Sequence, residues 1–321
     1  MGRRLISSFI RSLLLAALPL LAAPLRAAEA DCPPVATLPT AQDLAAARAA
    51  ARDRGFLWRV ERDGRRSWLY GTVHVARLAW ALPGPRLAAA LSEARVVALE
   101  IDLTDPALHQ QLREPPPVRE PALPAPLRRR LAQRLAAECL PAGALDGMPA
   151  MLQAATLGAL AGRRDGLDPA YAIDAMLAAF GHAAGKRVVA LENLDLQLTA
   201  LKGDGPDGVE RFVEQTLDEL DSGRARPMLR RVAQVWADGD LAALESYPQW
   251  CECMGSEADR ELMRRLLDER NLAMVERIDA LHRESGPILV GVGSLHFIGP
   301  QGLPALLGAR GYRVERVTFA P

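Results

Sequence analysis

The hexapeptide Arg-Val-Val-Ala-Leu-Glu occurs twice, at residues 95–100 and at 187–192. Each copy is a short apolar run closed by a glutamate, without the polar alternation of a half-exposed strand. Such runs suit strands buried on both faces. Two further apolar runs end alike. Trp68-Leu69-Tyr70 leads into Gly71-Thr72-Val73-His74, and Ile288-Leu289-Val290 leads through Gly291-Val292 into Gly293-Ser294-Leu295-His296. Doubly buried strands need helices on both faces of their sheet, which restricts the chain to a mainly α/β architecture. The paired echoes predict an internally duplicated mixed-sheet core with flanking helices.

The rest of the chain fits around these strands. Thr40 is placed to cap a helix over 41–52, and apolar runs at 56–61 and 66–71 flank Asp63-Gly64, a strong hairpin signal. A helix is expected over 84–93 and a strand over 96–101. Residues 114–126 carry six prolines and read as loop. Helical spacing then recurs over 127–137, 149–161 and 170–184, so a helical insertion at about 105–185 separates the repeats. Helices follow at 209–222 and 226–237. One long amphipathic helix is expected over 257–283. Arg270 there lies four residues from both Leu266 and Met274 and shares their apolar face. A helix at 303–310 and a strand at 312–319 close the chain.

The first thirty residues read as an export signal. Arg3, Arg4 and Arg11 precede a Leu/Ala-rich stretch at 13–25, and Ala28-Glu29-Ala30 fits a small-x-small cleavage site. The apolar stretch is too short, and too interrupted by Pro19 and Pro24, to span a membrane. The expectation is a periplasmic or secreted protein forming a single domain over 31–321, with no membrane span once the signal is removed. An even set of cysteines (Cys32, Cys139, Cys251 and Cys253) favours disulfides in such a compartment, and three connectivities are possible. The formal net charge of zero gives no footing for a nucleic-acid partner.

Each Gly-x-x-His corner places an imidazole where a buried strand ends, and ligands of open α/β sheets gather at such ends. His74 and His296, with the strand-closing Glu100 and Glu192, make a plausible set of ligands for Zn, Mn, Co or Fe on one rim. A metal held there would lower the pKa of a bound water and polarise a carbonyl. Asp174 and Gln197 flank the second repeat. His109, His182 and His282 carry blander readings, the last two at helix ends. The five tryptophans read as packing. The chain has no P-loop, no GxGxxG after a strand, no HExxH and no GxSxG.

These residues resemble the TraB/GumN family, which includes the Tiki proteins. The likeness is carried by Leu69-Tyr70-Gly71-Thr72-Val73-His74, by Val96 to Asp102, and by Gly185 to Glu192 with Gln197. It continues through Arg270-Asn271, then Val290 to His296 and Gly311-Tyr312. Leu295 departs from the small residue expected before the second histidine. The resemblance implies a duplicated α/β fold around one site, and Tiki members are described as proteases dependent on Mn or Co. It implies that His74 and His296 are metal ligands and that Glu100 and Glu192 are ligands or the general base. Arg270 would orient substrate or stabilise an oxyanion, with Asn271 supporting it; Asn271, Asp174 and Gln197 are the candidate substrate-binding residues. The expected function is thus an exported, divalent-metal-dependent, peptidase-like hydrolase with a peptide or protein substrate. The rival is a protein that binds a peptide, a haem or a metal on the same rim without turnover.

Overall fold

Asp63 and Gly64 both adopt positive φ, 52° and 72°. That is the conformation a two-residue hairpin turn requires for its twist to match the flanking strands. The turn joins β1 (Phe56–Arg62) to β2 (Arg65–Thr72). The structure, a computed structural model, describes residues 32–319 except 38, 114–121, 204, 206 and 252. The expected signal at 1–30 and most of the proline-rich loop lie outside the described residues.

Four further strands complete one sheet: β3 (Val96–Leu99), β4 (Arg187–Ala190), β5 (Ile288–Gly293) and β6 (Arg313–Val317). Their order is β4-β3-β5-β2-β1-β6. The pairs β4–β3, β3–β5 and β5–β2 are parallel, and only β1 runs against its neighbours. The carboxyl ends of β2, β3, β4 and β5 therefore share one rim. All four residues of β3 are buried, as their apolar run requires, whereas edge strand β4 is only partly covered.

The expected duplication is not visible in this topology. Strand β3, from the first half of the chain, sits between β4 and β5 from the second, so the sheet does not divide into repeated halves. The echoed segments are neighbours all the same, but out of step. Val96, not Arg95, faces Arg187, and Thr72, not Gly71, faces Gly293. Each pair is staggered by one residue in the same sense.

The described residues between β3 and β4 are largely helical and end in α1 (Ile173–Ala183), which packs on β3, β4 and β5. Two glycines permit this approach. A Cβ at Gly181 would come within 2.8 Å of Val188, and one at Gly291 within 2.5 Å of Leu177 Cδ1. Between β4 and β5 lie α2 (Leu194–Lys202), α3 (Ala225–Asp238) and α4 (Arg270–Ser285). The single long helix expected over 257–283 is corrected here. An α-helix at Glu257–Met263 opens into a π-helical turn, Arg264–Glu269, before α4 begins. A π turn is a wider coil stabilised by local packing, and the apolar spacing of the sequence carries no mark of it.

The cysteines pair as Cys32–Cys139 and Cys251–Cys253. Among the described residues no helix is long and apolar enough to cross a membrane.

Candidate functional site

Sheet register brings the two corners together. Thr72 faces Gly293, and Leu99 faces Gly291. His74 follows β2 directly, while His296 sits in a 3-10 turn, Ser294–Phe297, just past β5. Glu100 is the first residue beyond β3, and its Oε1 accepts the Gly293 N–H at 2.6 Å. A Cβ built on Gly293 would lie 3.1 Å from Glu100 Oε1, 3.7 Å from His296 Cδ2 and 3.9 Å from His74 Nε2. Both imidazoles and one carboxylate thus surround a single point.

Each imidazole is anchored through Nδ1. His74 Nδ1 meets Asp174 Oδ2 at 2.9 Å. Asp174 opens α1, and the Ile173 N–H donates to the Val73 carbonyl, which ties the helix start to the segment carrying His74. His296 Nδ1 meets Asn271 Oδ1 at 2.7 Å. Asn271 Nδ2 donates to the carbonyls of His296 and Gln301, which fixes the amide so that Oδ1 is the acceptor. His296 Nδ1 therefore carries the hydrogen, and Nε2 of the neutral ring keeps its lone pair. His296 Nε2 lies 3.8 Å from Glu100 Oε1.

The second glutamate is held differently. Arg270 Nη2 donates to Glu100 Oε2 and to Glu192 Oε2, each at 2.6 Å. Its Nε reaches both oxygens of Glu192 at 3.0 and 3.1 Å. Gln197 Nε2, from α2, donates to Glu192 Oε2 at 3.2 Å and to Glu100 Oε2 at 3.4 Å. All eight residues singled out by the sequence are buried in this one cluster.

The charges follow from these contacts. Burial alone would raise Glu100, but Arg270 and then the two imidazoles hold its pKa down to about 2. Burial also raises Glu192, and here it prevails over Arg270. For His74, burial favours the neutral ring, yet the charge and hydrogen bond of Asp174 outweigh it and the pKa rises. His296 has only an amide as its Nδ1 partner, so burial prevails and its pKa falls to about 3.

The cluster forms the floor of a pocket of about 40 Å³. Thr72, His74, Glu100, Arg270 and His296 line it, while Glu192, Gln197, Asp174 and Asn271 stand behind them. Its wall is apolar, built from Val232, Trp236, Leu244, Leu266, Leu267 and Leu295. Trp236, read from sequence as packing, donates Nε1–H to the Gly71 carbonyl at 2.7 Å. Only its helical spacing with Val232 was available as a signal, and core residues share that spacing. Ser294 donates its hydroxyl to the Thr72 carbonyl, a bond that braces the two corners. His182 contacts Asp102 and His282 contacts Ser67, both apart from this cluster.

As they stand, no three His, Cys, Asp or Glu side chains among the described residues are grouped so as to hold a metal ion. In kind, the donors do suit one. Two Nε2 atoms and one carboxylate oxygen form a two-nitrogen, one-oxygen set appropriate to Mn, Co, Zn or Fe. Anchoring of the other ring nitrogen by a carboxylate or amide oxygen is how ligating histidines are oriented.

A family model described as the TraB/PrgY/gumN family matches residues 56–316, which takes in β1 to β5, all of β6 but Val317, and all eight clustered residues. No curated protein and no solved structure shows a significant match to the chain.

Proposed function

The chain belongs to the TraB/PrgY/gumN family, and from that premise we propose that the rim where β2, β3 and β5 end is the active site of an exported, divalent-metal-dependent hydrolase acting on peptide bonds. One observation carries the reading. Two imidazoles from opposite ends of the chain are each anchored at Nδ1, by Asp174 and by Asn271. They surround one point together with Glu100 Oε1. His74 Nε2, His296 Nε2 and the Glu100 carboxylate would hold the ion. When bound, a divalent ion supplies Lewis acidity and an acidified water.

The chain's own groups prepare the site. Asp174 and Asn271 fix the ring planes. Arg270 keeps two buried carboxylates together at one place, where their repulsion would otherwise part them. Leu266, Leu267, Trp236 and Leu295 exclude bulk water, which strengthens every charge interaction on the floor. Export is supported by the N-terminal segment and by two disulfides, which persist in oxidising compartments.

The test is cleavage of a defined peptide mixture by the purified protein with Mn²⁺, Co²⁺ or Zn²⁺ added, read by mass spectrometry. His74→Ala, His296→Ala and Glu100→Gln should abolish cleavage while leaving the far-UV spectrum intact. Wild type that binds no metal, with variants indistinguishable from it, would overturn the proposal.

Binding without turnover has one observation in its favour. Both oxygens of Glu192 are engaged by Arg270 and Gln197 and the residue does not line the pocket, which sets this carboxylate back from a bound substrate. Tight retention of a peptide with no product would establish that reading.

A further inference from the structure

We propose that Arg270 is a built-in competitor for the divalent cation, holding Glu100 in the metal-free protein and releasing it when metal binds; this rests on the metal-site reading above. Two carboxylates this deeply buried, 6% and 9% exposed, need a cation beside them. Arg270 is that cation, at 2.6 Å from each. While it holds Glu100 Oε2, and the Gly293 amide holds Oε1, the Glu100 carboxylate is turned to protein donors on both oxygens.

The geometry also makes release feasible. The guanidinium has two anchors that do not involve Glu100. One is Glu192, through Nε and Nη2. The other is the Leu266 carbonyl, which accepts from Nη1 at 3.0 Å. That second anchor lies in the π turn, whose Leu266 carbonyl accepts from the side chain while the Arg270 backbone N–H bonds to Leu267 O. Arg270 can therefore give up one hydrogen bond, Nη2 to Glu100, and stay where it is. Glu192 then acts as a positioning residue that retains Arg270, and Glu100 is the carboxylate that changes partner.

The experiment is a Mn²⁺ titration of the full protein, with free Mn²⁺ read by electron paramagnetic resonance. It compares wild type with Arg270→Met, Arg270→Lys, Glu192→Gln and His74→Ala. Arg270→Met should bind Mn²⁺ at least about tenfold more tightly, equivalent to about 1.4 kcal/mol. Arg270→Lys should also bind more tightly, because an ammonium lacks the fork that spans both glutamates. Glu192→Gln should weaken binding without abolishing it, since Arg270 is then left with Glu100 as its one carboxylate partner in the cluster. Wild-type or weaker affinity in both Arg270 variants overturns the proposal while the metal site stands, provided that His74→Ala still loses binding. Tightening in Arg270→Met alone would mean that charge, not contact, is at work, and would also overturn it. Abolished binding in Glu192→Gln would make Glu192 a ligand, again against the proposal. No binding by wild type at millimolar Mn²⁺ removes the metal reading and this inference with it. If Arg270→Met fails to fold by circular dichroism, Arg270→Lys, which keeps a cation between the glutamates, decides the matter.

Discussion

A single methyl group tests whether the point between the imidazoles is the working centre. Gly293 has φ −51° and ψ 134°, a conformation that alanine adopts freely. Gly293→Ala therefore introduces no backbone strain. Its Cβ would sit 3.7 Å from His296 Cδ2 and 3.9 Å from His74 Nε2, ordinary contact distances. At 3.1 Å from Glu100 Oε1 it asks that oxygen to yield by a few tenths of an ångström. A tight contact of this kind costs about 1 kcal/mol. Losing a glycine from the unfolded chain returns about 0.4–1 kcal/mol. Net stability should stay within about 1 kcal/mol, a shift in Tm of less than about 4 °C. The site should fare far worse, because the methyl fills space between the two imidazoles and the Glu100 carboxylate. Mn²⁺ affinity should fall at least about 100-fold, about 2.7 kcal/mol, and cleavage with it. Thermal unfolding by circular dichroism and Mn²⁺ titration report the two effects separately. Gly291→Ala is the contrast, since its Cβ would lie 2.5 Å from Leu177 Cδ1 and 2.9 Å from Leu99 Cδ2. It should lose about 1–3 kcal/mol through overpacking. A Gly293→Ala protein with full Mn²⁺ affinity and full cleavage would refute the reasoning.

Asn271→Leu removes the acceptor for His296 Nδ1–H and the donor to two carbonyls; it should lower Mn²⁺ affinity about 10–100-fold by the same titration and destabilise by roughly 3 kcal/mol in urea unfolding. Opening Cys32–Cys139 by double alanine substitution frees a loop of 107 residues, and equilibrium unfolding should show a loss of about 4–5 kcal/mol. His282 is 1% exposed and hydrogen-bonded to Ser67. Burial, reinforced by Arg65, pushes its pKa below the ordinary 6.5. The folded protein thus resists its protonation, so its contribution is fully present above about pH 6.5 and is lost as pH falls through the lowered value. His282→Gln should flatten the fall in stability below pH 6.5, measured by urea midpoints across pH.

Sequence patterning exposed the strands because buried strands must be apolar throughout, and it exposed the hairpin because Asp63-Gly64 can meet its positive φ requirement. It exposed His74, Glu100, Glu192 and His296 because strand ends are fixed points of such a sheet. Residues on helices were harder. Arg270 drew notice only as a charge on an apolar face, and Asp174, Gln197 and Asn271 entered through resemblance or proximity to a repeat. Nothing in the spacing of 257–283 marks the π turn whose Leu266 carbonyl accepts from the Arg270 side chain. The pocket wall of Val232, Trp236, Leu244, Leu266 and Leu267 is invisible for a simpler reason. A residue that lines an apolar pocket and one that fills a core follow the same period.

The one-residue stagger is the deepest of these unreadable features, and it determines the site. Echoed segments invite an in-register pairing, Gly71 with Gly293 and Arg95 with Arg187. The sheet instead pairs Thr72 with Gly293 and Val96 with Arg187. Side chains alternate faces along a strand, so a shift of one residue exchanges inside for outside. With the stagger, His74 lies two residues beyond the last β2–β5 pair and His296 three. The two histidines reach one point by unlike paths, a bend after β2 and a 3-10 turn after β5. Their unlike anchors follow from that asymmetry. A carboxylate at the start of α1 meets the first, and an amide at the start of α4 meets the second. The result is one imidazole whose pKa is raised and one whose pKa falls to about 3. Two echoed Gly-x-x-His corners thus become chemically different groups, because each imidazole meets a different partner where its strand ends.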